Sequence, residues 1–192
     1  NSTYRRQASA NRIQSQLIRE LVNDLNLTMR LDCEMQPLRK EAVLPQAFLR
    51  QAAADFLNGG MAEGFDFQVE LPEEPLLPLY ADPFLLRRAV NNLLTNSVKY
   101  SSPGASIRLG AEADEKFLSI WVEGGTLRDG SGPLGPGSLE PDGGAAHGTG
   151  LKLVSQIAAA HGGTVDFSLG SPCRCRLRLP VRGSFGEARR PC

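Results

Sequence analysis

The stretch NNLLTNSVKY, from Asn91 to Tyr100, carries two amide side chains and one lysine on a single face of a predicted helix. Asn92, Asn96 and Lys99 stand at i, i+4 and i+7, a spacing that brings side chains onto one helical face. An amide oxygen suits a Mg²⁺ that takes its other ligands from phosphate and water, while the lysine supplies a point charge. The stretch therefore predicts a helix that faces a polyphosphate and its metal ion.

A second stretch, HGTGLKLV from His147 to Val154, predicts the other wall of the same site. Gly148, Thr149 and Gly150 would open a helix, and a glycine-rich turn there directs free backbone N–H groups and the positive end of the helix dipole at an anion. Such turns also serve tight helix packing alone. The threonine either donates to phosphate or caps its own helix, and Lys152 either contacts phosphate or points to solvent.

Together these two stretches resemble the N box and the second glycine box of the ATP-binding domain of sensor histidine kinases, which belong to the GHKL ATPases. The flanks agree with this resemblance. Asp82-Pro83 is a suitable helix start, an N-cap acceptor followed by proline, and His161-Gly162-Gly163 is a suitable helix end. The resemblance implies ATP and Mg²⁺ as cofactors.

The resemblance also assigns roles to single residues. Asn96 would bind Mg²⁺, Asn92 would support it or bind phosphate, Lys99 would contact phosphate and Tyr100 would flank the nucleotide. The backbone amides of residues 148–151 would hold the β and γ phosphates. The expected ATP-binding residues are Asn92, Asn96, Lys99, Tyr100, Gly148, Thr149, Gly150 and Leu151, with Asn96 as the metal ligand.

Hydrophobic periodicity places the remaining elements around this site. The predicted helices run from Pro45 to Asn58, stopped by Gly59-Gly60, and from Pro83 to Tyr100. The predicted strands and extended pieces are Phe65 to Leu71, Leu77 to Tyr80, Ser106 to Ala111, Phe117 to Val122, Thr164 to Leu169 and Cys173 to Val181. Helices intermixed with hairpin-like strand pairs favour an α+β fold, a mixed sheet covered on one face by helices. The resemblance implies the same two-layer α/β sandwich, the GHKL or Bergerat fold.

An N-terminal helix is predicted from about Ser9 to Asp32. Its apolar stripe consists of Ile13, Leu17, Ile18, Leu21, Val22, Leu25 and Met29. A stripe that wide needs more than one partner helix, so self-association into a bundle is expected, with a helix folded back on the main domain as the alternative. The segment also resembles the second helix of the dimerisation and phosphotransfer region of these kinases. The expected organisation is residues 1–40 for this helix and a hinge, 41–183 for the catalytic domain and 184–192 for a tail.

The composition of the chain limits the kinds of partner that it is expected to bind. Lys plus Arg equals Asp plus Glu at 21 each, so no strong field recruits nucleic acid. No apolar run approaches the roughly 20 residues that cross a bilayer, and the chain as given is expected to be soluble. In the last strand Cys173 and Cys175 alternate with arginines, which places both cysteines on the apolar face of the strand. They are therefore predicted to be small core residues, with a two-cysteine metal site as the alternative.

Only two histidines occur, His147 at the end of the loop and His161 at a helix end. Neither lies on the bundle helix, so the phosphoacceptor helix is expected before Asn1, and this chain alone is not expected to autophosphorylate. The resemblance implies the cytoplasmic portion of a bacterial plasma-membrane receptor. Its expected partners are a second copy and a response regulator.

The base-recognition motif departs from the family. After a strand like Phe117 to Val122 these kinases place Asp-x-Gly-x-Gly, whose aspartate binds the adenine amino group, but here Gly124 takes that position. Glu123 stands one residue early, and Asp129 lies further into the loop. Losing a hydrogen bond to a charged group costs about 1.5–3 kcal/mol, roughly a ten- to hundredfold loss of affinity, so weak or absent ATP binding is expected.

The loop from Glu123 to His147 holds eight glycines, three prolines and no aromatic residue. It is expected to be a mobile lid that lacks the phenylalanine of the family's F box. These departures leave two alternatives to the kinase. One is a degenerate, non-catalytic domain for dimerisation or docking, and the other is a different GHKL ATPase such as an anti-sigma-factor serine kinase.

Overall fold

The computed structural model describes residues 19, 22–31, 37–124, 149–168 and 172–181. The chain divides into two compact units, Asn1–Pro37 and Leu38–Cys192. In the first unit, residues 22–31 form helix α1. Val22, Leu25 and Met29 follow one another along one side of α1 and are 50–58% exposed. The earlier part of the predicted helix stripe lies outside the described residues, and the domain boundaries at 40 and 183 remain predictions.

The second unit contains three helices and seven strands among its described residues. The elements in chain order are β1 (Glu41–Val43), α2 (Pro45–Asn58), β2 (Asp66–Glu70), β3 (Leu79–Ala81), α3 (Pro83–Tyr100), β4 (Ser106–Ala113), β5 (Phe117–Gly124), α4 (Thr149–Ala160), β6 (Thr164–Ser168) and β7 (Cys173–Pro180). Five strands form one sheet in the order β2-β4-β5-β7-β6, and β1 pairs with β3 in a separate ribbon. The predicted mixed sheet is confirmed, because β2 runs parallel to β4 and the other pairs are antiparallel.

The helices cover one face of the five-stranded sheet, as predicted. On β5, Leu118, Ile120 and Val122 alternate toward the helices and are each about 1% exposed, as period-2 alternation requires. The core facing them from α3 is formed by Leu85, Leu86, Ala89, Val90, Leu93 and Leu94. Burial of this apolar stripe fixes which face of α3 is left for chemistry.

Three local expectations were wrong. The apolar periodicity that predicts α2 and β2 places Leu57 and Val69 on buried faces, but Leu57 is 48% exposed and Val69 is 39% exposed. Val69 is exposed because β2 is an edge strand of the sheet, with β4 as its one neighbour. Cys173 and Cys175 are only partly buried rather than core residues, since β7 begins at this point, beside the end of the edge strand β6.

Candidate functional site

Helix α3 starts and ends on local signals that fix its register. The carboxylate of Asp82 accepts hydrogen bonds from the backbone N–H groups of Phe84 and Leu85, both at 3.1 Å, and Pro83 occupies the first turn. This is the N-cap expected from the sequence, in which a side chain satisfies donors that the helix leaves free. With the register fixed and the apolar stripe buried, Asn92 and Asn96 emerge half-buried on the flank.

The two sequence stretches meet at Gly150. The side-chain amide of Asn92 donates to the carbonyl oxygen of Gly150 at 3.3 Å. A Cβ added at Gly150 would lie 3.8 Å from Nδ2 of Asn92 and 3.9 Å from both amide atoms of Asn96. Because glycine has no side chain, the space between the two amides and the first turn of α4 stays open. The amides and this turn together suit a polyphosphate with its metal ion.

Lys99 and Tyr100 lie one turn further along α3. Lys99 is exposed, and its Nζ lies 5.5 Å from the centre of the Tyr100 ring. Burial raises the pKa of the half-buried Tyr100 phenol, so the ring stays neutral at physiological pH. The ammonium also complements the negative end of the α3 dipole, a role that needs no ligand.

Helix α4 begins at Thr149, as predicted, so its first turn lies beside the amides of α3. The first N–H groups of any helix lack intrahelical partners and are available to an anion. Leu151 is half-buried and Lys152 is exposed. Gly148, His147 and the rest of the predicted lid from residue 125 lie outside the described residues, as does Asp129.

The last two residues of β5 place no carboxylate on the helix-covered side of the sheet. Gly124 faces α3, since a Cβ there would lie 3.3 Å from Ser97 Cβ and 3.4 Å from Ser101 Oγ. The Ser101 hydroxyl is buried and has no hydrogen-bond partner among the described residues. Glu123 points to the opposite face, where its carboxylate pairs with the guanidinium groups of Arg108 and Arg174. Neither residue therefore replaces the aspartate of the family motif.

His161 is a polar residue of this region whose contacts the sequence did not indicate. Its side chain is buried, Nδ1 lies 2.7 Å from the carbonyl oxygen of Ile157, and Nε2 lies 3.0 Å from the backbone nitrogen of Asp82. Both ring nitrogens are thus occupied, which excludes His161 as an exposed phosphoacceptor. Burial lowers the pKa of this imidazole, so the ring is neutral at physiological pH.

Other kinds of site are not found in the described parts of the chain. There, His, Cys, Asp and Glu side chains form no group of three suited to a metal ion. No helix within the described ranges has the length and apolar composition to span a bilayer.

The sequence of this chain matches a known protein family and several characterised proteins. Residues 81–183 match the family described as histidine kinase-, DNA gyrase B-, and HSP90-like ATPase. The alginate biosynthesis sensor protein KinB of Pseudomonas aeruginosa is 33% identical over 173 residues, which cover 84% of this chain and 28% of KinB. The sensor histidine kinase YvrG of Bacillus subtilis is 27% identical over 161 residues, which cover 80% of this chain and 28% of YvrG. The chain thus spans little more than a quarter of the length of either relative.

Solved structures agree with these relatives. Full-length ShkA in complex with AMPPNP superposes with a TM-score of 0.72 at 26% identity, over 92% of this chain and 38% of that chain. The histidine kinase AdeS of Acinetobacter baumannii superposes with a TM-score of 0.70 at 19% identity, over 88% of this chain and 81% of that chain, and so supports the fold alone.

Proposed function

The chain belongs to the histidine kinase-, DNA gyrase B-, and HSP90-like ATPase family, and from this premise we propose that it is the ATP-binding catalytic portion of a two-component sensor histidine kinase. The reaction is transfer of the ATP γ-phosphate to a histidine on a dimerisation helix, and then to a response regulator. The named relatives are sensor proteins and sensor histidine kinases, which does not favour the scaffold or the anti-sigma-factor kinase.

One observation carries this proposal, the approach of Asn92 and Asn96 to the first turn of α4 across Gly150. A Mg²⁺ ion, when bound, neutralises charge on the β and γ phosphates. Asn96 holds this ion through its amide oxygen, and Asn92 supports it or binds phosphate. The backbone amides that open α4 take the remaining phosphate oxygens, and Lys99 adds a positive charge.

Phosphoryl transfer of this kind depends on positioning and charge neutralisation more than on a protein nucleophile. The domain supplies the oriented nucleotide, and the acceptor histidine comes from the helical bundle. Helix α1 supports a bundle of two chains, because its exposed residues Val22, Leu25 and Met29 form an apolar strip that a second copy covers. The whole protein is proposed to be anchored in the bacterial plasma membrane with this portion in the cytoplasm.

The weak point of the site is its base-binding end, where Gly124 offers no carboxylate to an adenine amino group. Affinity for ATP then comes mainly from the phosphate end. We expect weak binding that depends strongly on Mg²⁺ and on the α3 amides.

Titration calorimetry with Mg-ATP tests the proposal on the wild-type chain, Asn96→Ala and the control Thr95→Ala. Loss of the Asn96 amide removes a ligand of a charged group, so we expect about tenfold weaker binding or more. Thr95 is exposed on the same helix, and its alanine variant should bind like wild type.

Binding that survives Asn96→Ala unchanged contradicts the metal assignment. Absence of wild-type binding at millimolar Mg-ATP contradicts the catalytic proposal itself.

A further inference from the structure

Helices α3 and α4 are antiparallel, and a hydrogen bond lies near each end of their contact. At the phosphate end, the Asn92 amide donates to Gly150 at the start of α4. At the opposite end, the backbone N–H of Asp82, the N-cap of α3, donates to His161, which follows the last residue of α4. Asn92 stands ten positions after Asp82, which separates the two bonds by about 15 Å along α3, at 1.5 Å per residue.

The imidazole of His161 is held in place independently of α3. Its Nδ1 faces the Ile157 carbonyl at 2.7 Å. Directly after it, Gly162 adopts φ +75°, which lets the chain turn back so that the Gly163 N–H donates to the Ala158 carbonyl at 2.8 Å. Gly163 lies flush against the backbone of Arg178 in β7, where an added Cβ would overlap the carbonyl oxygen. The position of the imidazole acceptor is therefore fixed relative to both α4 and the sheet.

Asp82 connects three parts of the second unit. Its carboxylate caps α3 and also accepts the backbone N–H of Arg39 at 2.9 Å, while its own N–H reaches His161. This N–H is buried, so an unmatched partner leaves a donor without water or acceptor, which is costly. The position of the α3 N-terminus thus depends on the acceptor at Nε2.

We propose that His161 is a positioning residue for the nucleotide site, which holds α3 and α4 in the register that brings Asn92 and Asn96 to the first turn of α4. This inference rests on the proposed function of that site. His161 touches neither phosphate nor metal and acts through the Asp82 N–H.

Loss of the His161 acceptor reduces the fraction of molecules in the binding-competent register. Apparent affinity for nucleotide falls by that fraction even when every phosphate-binding residue is intact. The effect therefore separates from a loss of the phosphate ligands themselves.

The contact requires a neutral ring with its proton on Nδ1, because a protonated Nε2 would oppose a second donor to the Asp82 N–H. Among the described residues, the charged groups that act on this ring are Lys40, which disfavours the cation, and Asp82, which favours it. Burial is the largest influence and, together with Lys40, outweighs the hydrogen bond to the Ile157 carbonyl and the charge of Asp82, so the pKa of His161 lies below its ordinary 6.5. The neutral form and its contact are complete above pH 6.5 and weaken as pH falls from there toward the lowered pKa.

Two amide variants separate the acceptor from mere packing. In His161→Gln the amide reaches the place of Nε2 and keeps an acceptor for Asp82, whereas in His161→Asn it reaches only the place of Nδ1. Titration with Mg-ATP should give near wild-type affinity for the glutamine variant and about tenfold weaker affinity for the asparagine variant, the effect of one uncompensated buried donor. Equal, wild-type affinity of folded His161→Asn overturns the proposal.

A series of Mg-ATP titrations at different pH values tests the role of the His161 acceptor even if His161→Asn fails to fold. The ratio of the wild-type dissociation constant to that of His161→Gln should stay constant above pH 6.5 and rise as the pH falls below 6.5 through the lowered pKa of His161, because only the wild-type acceptor titrates. ATP itself binds protons in this range, and the ratio cancels that contribution. A constant ratio overturns the proposal.

Hydrogen exchange without nucleotide distinguishes failure of this inference from failure of the proposed function. If wild type binds no Mg-ATP, the proposed function fails, yet the second turn of α4, whose N–H groups donate to carbonyls of the first turn, should still lose amide protection in His161→Asn relative to His161→Gln. Equal protection in the two variants means that the ends of the helix pair are not coupled, which overturns the positioning role.

Discussion

The two faces of the five-stranded sheet are built on different physical principles, and β5 shows both of them residue by residue. Its helix-covered face holds Leu118, Ile120 and Val122, all nearly inaccessible to water. Its open face holds Trp121 and Glu123, which are buried not by helices but by arginines. The Arg174 guanidinium lies 4.4 Å from the centre of the Trp121 ring and also pairs with the Glu123 carboxylate.

Ion pairs between arginines and carboxylates extend across the strands of the open face. These pairs are Arg108 with Glu70, Arg174 with Glu123, Arg176 with Glu112 and Arg178 with Asp114. Trp121 fits among them because Gly110 on β4 has no side chain, and a Cβ there would overlap the indole ring. A shift of one residue along a strand therefore moves a side chain from the apolar core beneath the site helices to the layer of ion pairs on the opposite face.

The largest effect is expected on the covered face, from Leu94→Ala. Leu94 is completely buried on α3, and truncating a buried leucine costs the lost burial plus the cavity left behind, about 3 kcal/mol of the free energy of unfolding. Urea denaturation measures the loss. The control is Phe84→Ala on the same helix, where Phe84 is 71% exposed and the change should stay within about 0.5 kcal/mol. Equal losses in both variants would show that α3 does not define the core.

A smaller loss is expected on the open face, from Glu123→Gln. The Glu123 side chain is 8% exposed while Arg108 and Arg174 are about one-third exposed, so solvent screens part of the uncompensated charge, and the cost is about 2 kcal/mol. Chemical denaturation of Glu112→Gln provides the control. The Glu112 side chain is 55% exposed, and its pair should contribute within about 0.5 kcal/mol. If Glu123→Gln loses no more free energy of unfolding than this control, the ion pairs of the open face do not stabilise the fold.

The smallest effect is expected from moving a carboxylate to the covered face with Gly124→Asp. In sensor histidine kinases an aspartate at this place binds the adenine amino group, so affinity for Mg-ATP should rise about tenfold. The new Cβ would meet Ile107 and Ser97 at 3.3 Å, which requires only a slight adjustment. Gly124→Ala fills the same space without the carboxylate and should show no gain. An aspartate variant that folds but binds no better would separate Gly124 from base recognition.

The sequence predicted those elements whose signals are local. Helices α2 and α3 run between the predicted residues, Pro45 to Asn58 and Pro83 to Tyr100. In both, a proline sets the first turn, and Asp82 or Gly59 marks an end through backbone hydrogen bonds within a few residues. The direction of β2 and the β1–β3 ribbon were not predicted. Strand pairing joins residues far apart in the chain, and period-2 alternation does not specify the partner.

The candidate site divides along the same line. The amide face of α3 followed from helical spacing alone, and Gly124 was identified as a departure from a motif. The contact of Asn92 with Gly150 and that of His161 with Asp82 span 58 and 79 residues, so no local pattern encodes them. His161-Gly162-Gly163 was interpreted only as a helix end, because the acceptor at Nε2 becomes visible once α3 and α4 are packed.

The burial of the Cys175 thiol on β7 makes its reactivity a measure of how often this part of the sheet opens. Burial, assisted by the nearby Asp166 carboxylate, raises the pKa of the Cys175 thiol to about 12. Near neutral pH, therefore, only on the order of one molecule in 10⁵ carries the reactive thiolate. Cys175 pairs with Phe167 of the edge strand β6 and with Val122 of β5, so detachment of β6 removes one of its two neighbouring strands and should increase the reactivity of the thiol. The alkylation rate of Cys175 then counts how often this edge of the sheet opens.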